Sequence, residues 1–287
     1  SAAGDRQREI AAKRGLKISI EQDGWYRVSA SEIAARGFGL GTLRSRWQLF
    51  ADGEEVPIEL FPDGSIEFFG SGNDKISTAA RVYYLVEGRG MGARIPTADG
   101  GNSDPNEAAQ SFESTVARED RAIYVSAIRN GEDKNFFGSV VQTAAPTIQT
   151  LTVHSPLNEG QIKLKVKLQG LATGDHLVSL RLNGLDLGTV SYSNEENRTF
   201  EYDLPFNFVT SGENQIRLQS LGTGNDVSLV DSVSITYNRR FVASGDQLRF
   251  TLGAGQGARV NGFDRDEIRV FEIQNGRAAQ ELLVEAE

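Results

Sequence analysis

From Leu16 onward the chain alternates apolar and polar residues in short runs, each closed by turn-forming residues. A period of two places successive side chains on opposite faces, so these runs predict half-buried strands. The clearest is KLKVKLQ, which sets Leu164, Val166 and Leu168 against Lys163, Lys165 and Lys167. In the second half the same pattern predicts strands at Ile148 to His154, Gln161 to Gln169, His176 to Leu182, Gly188 to Tyr192, Arg198 to Leu204, Asn214 to Leu221, Val227 to Tyr237 and Gln247 to Leu252. Turns such as Asn183-Gly184 separate them, and a further strand is expected at Glu267 to Ile273. Many short strands at this spacing suit a jelly roll or a related two-sheet sandwich.

The first half reads as a compact meander. Ile18 and Ile20, then Trp25, Tyr26 and Val28, flank Asp23-Gly24 and predict a hairpin, because Asp-Gly supplies the positive φ of a tight turn. Strands follow at Trp47 to Ala51, Val56 to Phe61, Ile66 to Phe69 and Arg81 to Glu87, with further Asp-Gly turns at 52–53 and 63–64. Between them SASEIAARG, residues 29–37, carries a serine N-cap signal and a glycine stop, so one short helix is expected there. The expected organisation is therefore all-β. A flexible arm, or alternatively a short helix, spans 1–15, and a meander or barrel-like domain spans 16–110 with a long loop at 88–110. A jelly-roll-like β-sandwich covers 111–275, and a tail covers 276–287.

Composition narrows the function. The chain has 287 residues, enough for two cores. No apolar run is long enough for a membrane-spanning helix, and the start SAAGDRQREI has neither the basic region nor the apolar core of a signal peptide. The segment thus reads as mature or excised. Cysteine is absent, which removes disulfides, thiolate metal sites and a cysteine nucleophile from this chain. The formal charge of −9 argues against a nucleic-acid partner, which requires a basic stripe.

Few residues suggest chemistry. His154 and His176 lie in separate predicted strands without metal-ligand spacing, and no Gly-x-Ser-x-Gly elbow occurs. GRGMGA at 88–93 lacks the third glycine of a dinucleotide fingerprint, so the glycine-rich stretch Gly88 to Gln110 is read as a mobile loop. No cofactor is called for. Calcium is the candidate ion, because Asn73 with Asp74, Asn102 with Asp104 and Asn106, and above all Asn225 with Asp226 gather hard oxygen donors in turns. Aromatic residues Trp25, Tyr26, Trp47, Phe61, Phe68, Phe69, Tyr83 and Tyr84 would form a carbohydrate platform if exposed, and core packing if not.

Taken in order and spacing, KISIEQDGWYRVSASEIAARGF, WQLFADGEEVPIEL, GSIEFFGSGND, RVYYLVEG, YNRRFVASGDQLRF and EIRVFEI resemble the N-terminal region of gingipain-type cysteine peptidases, over about residues 16–275. The resemblance implies an exported or cell-surface protein. It also implies a caspase-like catalytic domain, bearing the reactive His and Cys, as the downstream partner in the same polypeptide. This region would then be a non-catalytic accessory or pro-region, and Arg89 and Arg94 would be candidates for a pseudo-substrate loop in a cleft that prefers basic residues. The competing reading is a glycan-binding or adhesive sandwich module of a surface protein.

Overall fold

A computed structural model of the chain describes residues 2–39, 41–72, 80–100, 108–128, 135–223 and 226–284. Strand makes up 53% and helix 8%, so the chain is all-β, and among the described residues no sheet closes into a barrel. It divides into two compact units, Ser1–Gly101 with Glu267–Glu287, and Asn102–Asp266.

The first unit opens with helix α1 (Ala2–Ala11), the helical of the two readings of this segment; Ile10 is buried against Phe50 and Val86. Strand β1 (Gly15–Ile20) and strand β2 (Gly24–Val28) follow. Helix α2 (Ala30–Ala35) starts at a capping box: the Ser29 hydroxyl accepts from Glu32 N, and the Glu32 carboxylate accepts from Ser29 N. Next come β3 (Trp47–Ala51), β4 (Glu54–Val56), β5 (Glu59–Leu60), β6 (Ile66–Gly70), β7 (Arg81–Glu87) and β8 (Thr97–Asp99).

One antiparallel sheet has the order β1-β7-β3-β4, and a second has the order β2-β6-β5. Asp52 and Gly53 both take positive φ between β3 and β4, as a two-residue hairpin turn requires. The Asp23-Gly24 hairpin does not form, because β1 pairs with β7 while β2 pairs with β6. Asp23 instead accepts from Gly72 N. Trp47, Leu49, Ile58, Ile66, Phe68, Tyr83 and Leu85 fill the core between these sheets.

The second unit contains β9 (Ser111–Arg118), β10 (Ile123–Tyr124), β11 (Phe136–Phe137), β12 (Val140–Val141), β13 (Thr147–Val153), β14 (Gln161–Gly170), β15 (Asp175–Leu182), β16 (Leu185–Ser193), β17 (Asn197–Pro205), β18 (Gly212–Ser220) and β19 (Ser228–Arg240). Its main sheets run β12-β19-β14-β17, with β9 also on β19, and β13-β18-β15-β16. The alternation read from KLKVKLQ holds. Leu164, Val166 and Leu168 are fully buried, while Lys163 pairs with Asp203 and Lys165 with Glu201 across to β17. Gln247 to Leu252 is not a strand; its Phe250 packs on Phe112 and Phe241.

The chain then returns to the first unit. Strands β20 (Val270–Gln274) and β21 (Arg277–Leu283) form a hairpin, and β21 pairs in parallel with β8. Residues 277–283, within the expected tail, are thus sheet. Ala278 is 1% exposed.

Candidate functional site

The long loop read from the glycines is held at several points. Gly88 N donates to Arg46 O at 2.8 Å, and Gly92 N donates to Ser45 O at 3.1 Å. Ala93 N donates to the Glu55 carboxylate at 2.7 Å, and Ile58 N to Ala93 O at 3.2 Å. A Cβ at Gly92 would lie 1.9 Å from Trp47 O, so only glycine lets the loop run this close to the backbone entering β3. Residues 101–107, the remainder of the loop's polar stretch, lie outside the described residues, as do Asn102, Asp104 and Asn106.

This anchoring separates the two candidate arginines. Arg94 is half-buried, and its guanidinium donates to the carbonyls of Trp47, Ala93, Arg44 and Ser45 at 3.0–3.1 Å. Burial pushes the guanidinium below its ordinary value, with Glu55 opposing. Arg94 is therefore a clasp that ties the loop down. Arg89 stands between the two anchored glycines, exposed beside Gly90 and Met91, the last 83% exposed. The result is an arginine at the tip of a loop whose backbone is held at both ends, so that ordering on binding falls chiefly on its side chain.

A second cluster sits in the sandwich. His176 occupies the inward parity of β15 with Val178, Leu180 and Leu182, all buried. Its Nδ1 lies 2.6 Å from Asp226 Oδ1, and its Nε2 faces the carbonyls of Asn194 at 2.9 Å and Ala172 at 3.2 Å. Asp226 Oδ2 accepts from Ser220 Oγ at 2.6 Å and from Leu177 N at 3.2 Å. Burial pushes the Asp226 carboxyl up, but the bonds from Ser220, His176 and Leu177 outweigh it and hold the group below its ordinary value. Tyr192 stacks on His176 and donates to Ser228 Oγ at 2.5 Å; burial pushes its hydroxyl up to about 12.

Serine, histidine and aspartate meet here without hydrolase geometry. The imidazole nitrogen that would accept a nucleophile's proton already donates to main-chain carbonyls, and His176 is 1% exposed. Both oxygens of Asp226 are occupied by internal donors, and Asn225 lies outside the described residues, as do Asn73 and Asp74. Among the described residues no group of three or more His, Asp or Glu gathers as a metal site. His154 makes different contacts: its main-chain N donates to the Tyr237 hydroxyl, which donates to the His154 carbonyl.

Of the eight aromatics, Trp47, Phe68, Phe69 and Tyr83 are buried, Phe61 lies under Arg27, and Trp25 stacks on Phe271 at 3.9 Å. Beside that stack Arg269 donates to Glu59 at 2.6 Å and to Glu281 at 2.7 Å and 2.9 Å, joining the β20–β21 hairpin to β5. Sequence reasoning missed this hub, and it named His176 and Asp226 separately without joining them. The available signal was parity: His176, Ser220 and Ser228 are polar residues at inward positions of alternating strands.

No protein-family model matches the sequence, and no curated protein matches it. Among solved structures, dimeric latent PorU from Porphyromonas gingivalis aligns over 100% of this chain and 31% of its own, with a TM-score of 0.72 and 14% identity. The chain thus spans about a third of PorU, and the likeness is one of fold. Shorter matches include the CBM36-1 domain of a xylanase from the hindgut metagenome of Trinervitermes trinervoides, covering 43% of this chain and 95% of that one at 15% identity and a TM-score of 0.30. Another is CBM35 of Cellvibrio japonicus Abf62, covering 47% and 93% at 19% identity and a TM-score of 0.27.

Proposed function

We propose that this chain is a non-catalytic accessory or pro-region of an exported, gingipain-type cysteine peptidase, and that it precedes the catalytic domain in the same polypeptide. What chiefly supports this reading is the agreement in fold, over the full length of the chain, with a protein crystallised in a latent form. The Arg89 loop supplies a device for latency. An exposed arginine on a loop fixed at both ends enters a cleft selective for basic side chains, where a buried guanidinium makes charge-assisted bonds. Arg94 holds the loop and does not enter the cleft.

The test uses the full-length polypeptide before any processing. Arg89→Ala should raise its peptidase activity on arginine substrates without changing its thermal stability. Arg94→Ala should lower the stability of the first unit as well. Unchanged latency in Arg89→Ala would remove the loop from the mechanism, and absence of peptidase activity at every stage would end the proposal.

A further inference from the structure

Met91 is the single methionine of the chain and, at 83% exposed, the most exposed large apolar residue among the described residues. It belongs to none of the cores that these residues form. Glycines stand on both sides of it, and a Cβ placed on Gly90 would meet nothing within 4 Å. The backbone beneath it is held. Leu43 N donates to the Glu87 carboxylate at 2.9 Å, which adds to the bonds that Gly88 N and Gly92 N make to Arg46 O and Ser45 O. On that anchoring segment Leu43 is itself 54% exposed. The tip thus presents a basic side chain, Arg89, with a thioether close by in the chain and an aliphatic side chain on the adjoining segment.

Packing within this chain gives no reason for so exposed a thioether. Methionine is adaptable and suits a surface that conforms to a partner, and covering it on docking removes apolar area from water. It is also the sulfur a peroxide attacks here, because the chain has no cysteine to compete for the oxidant.

We propose that Met91 is a redox-sensitive contact of the Arg89 loop: as a thioether it helps hold the latent state, and as a sulfoxide, formed by a peroxide, it releases that state. This rests on Arg89 being the residue that enters the catalytic cleft. In the reaction a lone pair on Met91 Sδ attacks one oxygen of hydrogen peroxide. The S–O bond forms as the O–O bond breaks, and the proton of the transferred hydroxyl passes to the departing hydroxide. The sulfur is oxidised to the sulfoxide and the peroxide is reduced to water. A sulfoxide covered by apolar surface without a hydrogen-bond partner weakens docking by about tenfold.

The test uses the full-length polypeptide before processing, treated with hydrogen peroxide and then with a thiol reductant, which restores an oxidised catalytic cysteine from its sulfenic state but leaves a sulfoxide in place. Peptide mapping by mass spectrometry should find one added oxygen on Met91, and activity on arginine substrates should rise by up to about tenfold. A methionine sulfoxide reductase should restore latency. Met91→Leu should show the same activity before and after peroxide, and Met91→Gln should be active without peroxide while melting at the wild-type temperature. Continued latency of the wild type oxidised at Met91, or activation of Met91→Leu by peroxide, would overturn the proposal. If Arg89→Ala is active in the first case, the reading of Arg89 stands and only the role of Met91 falls; if Arg89→Ala stays latent, both fall.

Discussion

Replacing Asp226 with asparagine tests whether the buried His176 cluster holds the sandwich together. The carboxylate accepts three hydrogen bonds, two of them at 2.6 Å, and its side chain is 2% exposed. Asparagine keeps one acceptor oxygen, which can serve Ser220 Oγ and Leu177 N when its amide faces His176 Nδ1, but it removes the negative charge from both short bonds. Weakening two charge-assisted bonds costs about 2 kcal/mol. With denaturant slopes of about 1–3 kcal/mol per molar urea, the unfolding midpoint of the second unit should fall by about 0.7–2 M.

Both tryptophans, Trp25 and Trp47, belong to the first unit, so their fluorescence should show an unshifted transition while far-UV circular dichroism shows the loss. The gap between wild type and variant should also depend on pH. The folded carboxyl lies below its ordinary value of 3.8, so its contribution is complete above the unfolded value and is lost as pH falls through the lower folded value. A midpoint shift too small to resolve, or a gap that persists undiminished at pH 2, would refute the assignment.

Two further substitutions test the first unit. Gly92→Ala drives a Cβ into the Trp47 carbonyl, a backbone atom that cannot swing aside; the expected loss is about 2 kcal/mol or more, read by tryptophan fluorescence in urea. Ile10→Ala removes the buried anchor of α1, which is 3% exposed against Phe50 and Val86, and should cost about 2 kcal/mol by the same assay, where a flexible arm would give no change.

The parts of the fold visible in the sequence are those fixed by neighbours in the chain. The alternation of 163–169, the Ser29 and Glu32 capping box and the positive-φ pairs at 52–53 and 183–184 are all local, and all are present. What the pattern does not carry is the choice of partner. Leu16 to Ile20 and Trp25 to Val28 look like the arms of a hairpin, yet their hydrogen bonds go to Arg81–Glu87 and Ile66–Gly70. Gln247 to Leu252 alternates correctly but has no strand beside it, so its aromatic ring docks without forming a ladder. Arg89 and Arg94 were equivalent in sequence for the same reason: the carbonyls that capture Arg94 belong to residues 44–47 as well as to its own neighbour.

The return of the chain to its first unit has a consequence for biogenesis. Strand β8 waits for β21 as its parallel partner, and the carboxylates of Glu59 and Glu67 wait for Arg269, with the whole second unit synthesised in between. Since a chain emerges from its N-terminus, the second unit is a continuous stretch able to fold as soon as it is complete, whereas the first must remain open until residues 267–284 appear. Parallel pairing across so long a separation is slow, because the loop must close before the contact rewards it. That delay extends the interval in which the unfinished sheet edge needs protection from other chains.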